Sequence, residues 1–343
     1  MILVTGGTGF LGHDVVETII SLGGHAERSG ASPAQAKQGE LSSSPAQANT
    51  VRLESQTSPR VRVMTRRDIQ DKRLDVFKGD VSDFESVKKA MEGVNAVIHL
   101  AANSDHFAPY SEHQKTTVQG TQNVFEAAVA AGVKKVVHMS SAAVTAKNKT
   151  NYTRAKAEAE AVAKSYWGKI EVPIIRASLI YDETTLKRLA RLSYLPFPYK
   201  RQRIHLSYKR SVVEALIGAL TCGRSDVYTV ADKSPILLTQ LYKELARPRP
   251  MLWIPPQIIW LGIAAAYPVK WIARITGLRP FVTPEFIKYT FENRSFDITK
   301  AADELKYTPV DTLEIVNRFK AGKIEYDIKK CKVCNIEIDK CEQ

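Results

Sequence analysis

Short apolar runs alternate with helical stretches through the first half of the chain. Ile2–Thr5 is apolar enough for a buried strand. From Val15 to Leu22 the apolar positions recur at helical spacing, and Gly23-Gly24 closes the run. Val61–Thr65 alternates as a second strand, Asp75–Asp80 is a short third, and Phe84–Met91 is helical. Ala96–Leu100 is mostly apolar, as a strand covered on both faces must be. Gly120–Ala131 returns to helical spacing, and Lys135–Met139 predicts a fifth strand. Strands alternating with helices in this way predict an α/β fold, an open and doubly wound parallel sheet.

Two regions depart from the pattern. Residues 26–60 are rich in Ser, Ala, Gln and Pro and contain Ser-Pro-Ala-Gln-Ala twice. They hold too little apolar content to bury, which predicts a disordered insertion ahead of the second strand. Residues 251–281 are the reverse: Trp253, Ile258–Leu261, Ala264–Tyr267, Trp271 and Phe281 make them strongly apolar and aromatic. The uninterrupted apolar part is too short to span a bilayer. Such a stretch can lie in a membrane interface beside Lys270 and Arg274, line an apolar pocket, or be ordinary core.

The chain has 343 residues and a net charge of +13. A basic surface attracts anions. Leu186 to Arg210 is the densest basic stretch, interleaved with Tyr194, Phe197, Tyr199 and Tyr208. It suits an anionic substrate, an acidic membrane face or plain solvation. A small-molecule substrate is expected, nucleic acid is not, and a homodimer is compatible. With a strand starting at residue 2 we expect no signal peptide. Cys222, Cys331, Cys334 and Cys341 form no disulfide framework. The tail has three thiols but no fourth Cys or His ligand, so no metal is expected. A cytoplasmic protein, at most peripheral to a membrane, follows.

The chemistry begins at residues 4–12, Val-Thr-Gly-Gly-Thr-Gly-Phe-Leu-Gly, between the first strand and the first helix. In such a turn Gly6 gives the tight bend, Gly9 lets the backbone approach a pyrophosphate, and Gly12 lets helix and strand pack. Thr5, Phe10 and Leu11 complete the candidate cradle, and the helix dipole favours the phosphates. The second strand ends Met64-Thr65-Arg66-Arg67. A guanidinium there can hold a 2′-phosphate bidentately, which favours NADP over NAD, although Asp68 is an acid that could serve NAD.

Further along come Gly79-Asp80-Val81, His99-Leu100-Ala101-Ala102, Thr117-Val118-Gln119-Gly120-Thr121, Ser140-Ser141 and Tyr152-Thr153-Arg154-Ala155-Lys156. In this order, after the glycine turn, they resemble the extended short-chain dehydrogenase/reductase superfamily. The later Phe296–Ala301 and Glu304–Pro309 are similar to its C-terminal signature. The resemblance implies a Rossmann-type sheet over residues 1–181 and a smaller, mainly helical substrate-binding region over 182–325. Residues 205–232 would return to the sheet, and 326–343 would be a cysteine-containing tail. It also implies that Asp80 and Val81 contact adenine, that Ala101 and Ala102 pass close to the cofactor, and that Lys156 binds the nicotinamide ribose. Thr117 stands where many members have asparagine. Only ten residues separate Ser141 from Tyr152, fewer than is usual.

Tyr152 and Lys156, four apart, share one helix face. Hydride transfer to a ketone needs a proton donor on oxygen, and the reverse needs a base. A phenol with pKa about 10 is a poor base at neutral pH, and lowering it by about three units takes roughly 4 kcal/mol. A nearby ammonium would contribute. Ser141 is the expected orienting hydroxyl and Ser140 the reserve. The expected function is NAD(P)-dependent hydroxyl–ketone interconversion on an apolar sterol-, isoprenoid- or flavonoid-like substrate; the 251–281 stretch resembles members acting on 3β-hydroxysteroids. The alternatives are a nucleotide-sugar epimerase or dehydratase, and a non-catalytic NADP-binding assembly or sensor protein.

Overall fold

The computed structural model describes residues 1–28, 60–192, 202–245, 256–276 and 283–322. Seven parallel strands form the main sheet. In chain order they are β1 (Ile2–Thr5), β2 (Val61–Thr65), β3 (Asp75–Lys78), β4 (Ala96–His99), β5 (Lys135–Ser141), β6 (Ile174–Ala177) and, after three short strands described below, β10 (Val227–Val230). Their spatial order is β10-β6-β5-β4-β1-β2-β3. Ile2 pairs with Val61 on one side and Ala96 on the other, so β1 is central. The strand order reverses between β1 and β4. Outside the carboxyl ends of those strands lies the crevice where open α/β sheets take ligands.

Residue alternation explains the two cores. Ile2, Val4, Ala96, Ile98, Val137 and Met139 face one side, where α1 (Gly12–Arg28) and α7 (Lys209–Thr221) bring Val15, Val16, Ile19, Val212 and Leu216. Leu3, Val97 and Val136 face the other, where α2 (Phe84–Ala90), α4 (Gly120–Ala130) and α5 (Asn151–Lys164) bring Val87, Val124, Phe125 and Ala163. Each face buries one set of side chains because the strand period is two.

The first helix starts earlier and ends later than its apolar spacing predicts. It begins at Gly12 and continues through Gly23-Gly24 to Arg28. Glycine stops a helix when it takes the left-handed conformation as a cap, and here the pair stays helical. Of the expected 26–60 insertion, residues 29–59 lie outside the described residues. Arg60 already belongs to the sheet edge, its carbonyl accepting from Ile2 N at 2.9 Å.

The rest is smaller elements. A short α3 (Tyr110–His113) leads through a π-helical stretch at Gln114–Gln119 into α4. β7 (Leu179–Tyr181) runs parallel to β9 (Leu206–Tyr208), with α6 (Glu183–Leu192) and β8 (Arg203–Ile204) between them. β11 (Ile236–Leu237) pairs with β8. α8 (Leu238–Leu245), α9 (Pro256–Thr276), α10 (Pro284–Thr290), α11 (Thr299–Leu305) and α12 (Thr312–Lys320) follow. A third core gathers Tyr181, Leu186, Leu206, Ile236, Leu241 and Ile315. α9 is not core: Trp260, Leu261, Trp271 and Ile275 are each about two-thirds exposed. No helix among the described residues is long and apolar enough to cross a membrane.

Candidate active site

The glycine turn lies at the crevice. Gly6 has φ +73°, and a Cβ there would stand 2.9 Å from the Ala101 nitrogen. The turn and the chain leaving β4 are therefore in van der Waals contact, which places Ala101 beside Gly6. A Cβ on Gly9 would meet only the Gly6 carbonyl oxygen, at 3.1 Å, so the rest of its surroundings are open. The Gly9 N–H is used within the turn, donating to Gly6 O at 2.9 Å. Gly12 has a different role from the one expected. Its Cβ would collide with Gly6 O at 2.2 Å, so it permits the turn to fold onto itself. The glycine that packs against a strand is Gly7, whose Cβ would be 2.8 Å from Val63 in β2. Gly7 was visible in the same run but lies outside the three-residue spacing.

A hydrogen-bond chain fixes the floor of this crevice. The Thr121 hydroxyl donates to Thr117 O at 2.6 Å, so it accepts from His99 Nε2 at 3.1 Å. His99 Nδ1 then accepts from the Thr5 hydroxyl at 2.7 Å. Burial holds His99 neutral, with a pKa lowered to about 3, which matches this single tautomer. Thr117 also accepts from Asn103 N at 3.0 Å, so threonine ties down the segment after β4.

The end of β2 distributes its charges unequally. Asp68 is paired with Lys78 at 2.8 Å, which draws it away from a ribose role. Arg66 is 74% exposed, with Asp80 at 3.9 Å as its nearest acid. The other Asp80 oxygen accepts from Ser82 N and the Ser82 hydroxyl at 2.9 and 3.0 Å. Val81 is buried and its carbonyl accepts from Asn123. At the glycine turn, Phe10 is half exposed, Leu11 is buried, and Lys209 lies 4.5 Å over the Phe10 ring. Lys209 also pairs with Asp14 at 2.8 Å. It neutralises the acid at the head of α1 and has no signal in the local sequence, being nearly two hundred positions away.

Ser141, Tyr152 and Lys156 meet at the carboxyl end of β5. Thr150 caps α5 by accepting from Thr153 N at 3.2 Å, which sets the first turn carrying Tyr152. Burial pushes the Tyr152 phenol above its ordinary range, and a hydrogen bond with Ser141 pulls the other way. The expected lowering by an ammonium is absent from this balance. Lys156 instead donates to Met139 O at 2.8 Å, and burial lowers its pKa to about 8. Ser140 is occupied elsewhere, donating at 2.8 Å to Glu160, which Arg176 and Lys164 also hold. Burial opposes ionisation of Glu160, but those partners together bring its pKa down to about 2. Ser140 thus builds the wall behind the site.

The short loop between Ser141 and Tyr152 is anchored from afar. Glu292 accepts from Asn148 N at 2.7 Å, from Asn148 Nδ2 at 2.5 Å and from Lys147 N at 3.2 Å. Over Tyr152 stands an aromatic wall. His106 lies 4.4 Å from its ring, with Phe286 at 5.9 Å and Tyr289 at 6.0 Å from His106. Phe107 packs on Phe286 at 4.8 Å. His106 Nδ1 is buried and has no hydrogen-bond partner among the described residues. The Arg294 guanidinium stacks on Tyr289 at 3.9 Å. None of these has a local sequence signal: Phe286 and Tyr289 reach the site on α10 from more than 130 positions away, and His106 and Phe107 come from the segment after β4. Among the described residues no three His, Cys, Asp or Glu side chains are grouped to hold a metal. Cys222 is disulfide-bonded, where no disulfide framework was expected; Cys331, Cys334 and Cys341 lie outside the described residues.

Residues 3–170 match the 3-beta hydroxysteroid dehydrogenase/isomerase family. An Escherichia coli O157:H7 protein, N-acetyl-alpha-D-glucosaminyl-diphospho-ditrans,octacis-undecaprenol 4-epimerase, is 28% identical over 65% of this chain and 75% of its own. The Arabidopsis thaliana 3beta-hydroxysteroid-dehydrogenase/decarboxylase isoform 1 is 24% identical over 72% of this chain and 66% of its own. The chain thus spans about two-thirds of that plant relative. In fold it is similar to dTDP-glucose 4,6-dehydratase from Streptomyces venezuelae, solved with NAD bound, with a TM-score of 0.62, 20% identity, and coverage of 94% of this chain and 97% of that one.

Proposed function

From the premise that the chain belongs to the extended short-chain dehydrogenase/reductase superfamily and is an NAD(P)-dependent oxidoreductase, we propose that it interconverts a hydroxyl and a ketone on an apolar substrate. The observation that carries this reading is the aromatic cluster of His106, Phe107, Phe286 and Tyr289, which meets the Tyr152 ring through His106. Such a wall favours a flat hydrocarbon and excludes water from the reacting carbon.

The residues present fit a dinucleotide: the space around Gly9 is open, and Gly6 and Gly12 let the turn fold tightly, since a Cβ on either would strike backbone. The N–H groups of Phe10, Leu11 and Gly12, at the head of α1, would hold the pyrophosphate. Asp80 and Val81 would meet adenine, Ala101 and Ala102 the central sugar–phosphate, and Lys156 the nicotinamide ribose. Arg66 supports NADP over NAD, since it is exposed and Asp68 is engaged with Lys78. The cofactor, when bound, supplies or accepts a hydride. Tyr152 holds the transferable proton. Its neutral phenol, raised by burial, is in the form that donates to a carbonyl oxygen, and Ser141 orients both oxygens. In the alcohol-to-ketone direction Tyr152 must lose that proton first. The Ser141 hydrogen bond favours the ionised form, while Lys156 keeps its Nζ on Met139 O.

A second reading is supported by Arg294, whose guanidinium stands in the pocket wall on Tyr289. A cation there suits the diphosphate of a nucleotide- or lipid-linked sugar, the substrate type in the name of the E. coli relative. The test is a panel of hydroxysteroids, isoprenoid alcohols and UDP-sugars, followed by NADPH fluorescence and by product analysis. Net NADPH formation with an apolar alcohol is expected. Epimerised sugar without net change in NADPH would overturn the reading in favour of the second.

A further inference from the structure

α9 is apolar almost all the way round, yet only a narrow stripe of it is covered. Ile263, Ala266 and Ala273 face inward and are buried. Ile258, Trp260, Leu261, Tyr267, Trp271 and Ile275 are 52–68% exposed, and Val269 and Ile272 are half exposed. A helix with this composition is normally enclosed by other apolar material. We propose that α9 seats the protein on a phospholipid bilayer, lying in the plane of the interface.

Two observations select a bilayer over a second copy of the chain. The exposed apolar residues spread around the helix rather than forming one flat side, and a two-fold partner would cover one side only. Acyl chains enclose such a helix from several directions. The residues are also of the interfacial kind: two indoles and a phenol, which prefer one apolar and one wet end. The charges beside them are cationic or neutralised. Lys288 lies 5.9 Å over the Tyr267 ring, and Lys270 is paired with Glu285 at 2.7 Å. A chain of net charge +13 is drawn to anionic headgroups.

The position of α9 gives the surface a purpose. α10 packs beside it, joined by the Lys270–Glu285 pair, and α10 carries Phe286 and Tyr289 of the wall over Tyr152. Docking through α9 would set that wall against the lipid, so an apolar substrate would pass from bilayer to pocket without crossing water. Only this last step rests on the proposed substrate class; the docking does not.

The test is co-sedimentation of the full chain with phosphatidylcholine vesicles containing about a third phosphatidylglycerol, beside a Trp260→Glu/Leu261→Glu/Trp271→Glu variant. The wild type should bind, and the variant should bind at least about tenfold more weakly with its NADP affinity unchanged. Should the variant fail to fold, quenching of wild-type tryptophan emission by brominated acyl chains decides the point, and quenching is expected. Equal binding by a folded variant would overturn the proposal, as would no binding or no quenching with the wild type. A wild-type dimer that the variant splits, without vesicle binding, would assign α9 to a second copy. These readouts need no turnover, so they stand or fall separately from the substrate panel.

Discussion

The glycine turn at residues 6–12 and helix α9 are opposite solutions to surface. In the turn the backbone is packed against itself and against β2 and β4, and Thr5 is fixed through His99 to Thr121 and Thr117. In α9 three small or branched residues are buried and the rest of an apolar helix faces outward. The turn is determined from within, because steric collisions enforce glycine at positions 6, 7 and 12. The helix is determined from outside, because its composition makes sense only with something apolar around it. A ligand-holding element and a docking element are distinguished here by where their constraints come from.

Substituting glycines tests this contrast at its extremes. Gly12→Ala places a methyl 2.2 Å from Gly6 O. It should abolish cofactor binding, read by fluorescence titration, with either a distorted turn or an unfolded chain. Retained NADP affinity would show that the turn is not internally fixed. Next in size is Tyr152→Phe, which removes the proton donor and leaves the ring packing. Turnover should fall about 10²–10⁴-fold with cofactor affinity intact.

Arg66→Ala should weaken NADP relative to NAD by roughly tenfold to a hundredfold, the value of a charge-assisted contact. An unchanged ratio of the two dissociation constants would refute the arginine as the cofactor selector. The buried histidines offer a pH test of the sheet side. His138 is buried, neither of its ring nitrogens has a hydrogen-bond partner among the described residues, and burial lowers its pKa well below the usual range. The folded state therefore keeps it neutral while the unfolded chain takes a proton below about pH 6.5. Its stabilising contribution is complete above that pH and is lost as the pH falls. His138→Leu should accordingly gain about 2 kcal/mol more at pH 5 than at pH 7 in denaturant unfolding. Asp232 runs the other way: burial raises its pKa to about 6, so it favours the fold as pH drops between about 6 and 4. The comparison of the two proteins at each pH removes that shared term.

The smallest effect is expected in α9. A Cβ on Gly262 would meet nothing within 4 Å. Gly262→Ala should therefore leave activity unchanged and raise helix stability by about 0.5–1 kcal/mol. A loss instead would mean that Gly262 is packed against something, and that α9 is not free along that edge.

Much of the site could be read from the chain because its parts are local. Gly6, Gly9 and Gly12 lie in one turn, Tyr152 and Lys156 in one helix, and Arg66 at one strand end. The sequence prefers Ser141 over Ser140, but it does not show what occupies Ser140. Ser140 and Ser141 are neighbours, but the strand and the buried Glu160 commit the first to structure. Gly7 takes the strand-packing role that spacing assigns to Gly12, since only the packed turn shows which methyl would meet which atom. Lys209, Glu292 and Phe286 were invisible for a simpler reason: nothing near them in sequence marks the atoms they touch.

By itself the sequence determined the α/β class, the order of strands and helices, and the residue types that can hold a dinucleotide and move a proton. Local periodicity and turn chemistry suffice for these. Only the tertiary structure decided what occupies Ser140, what lies against the Tyr152 ring, and that an apolar helix is left uncovered nearby. Those outcomes depend on contacts between segments far apart in the chain, and no local pattern encodes which surfaces meet.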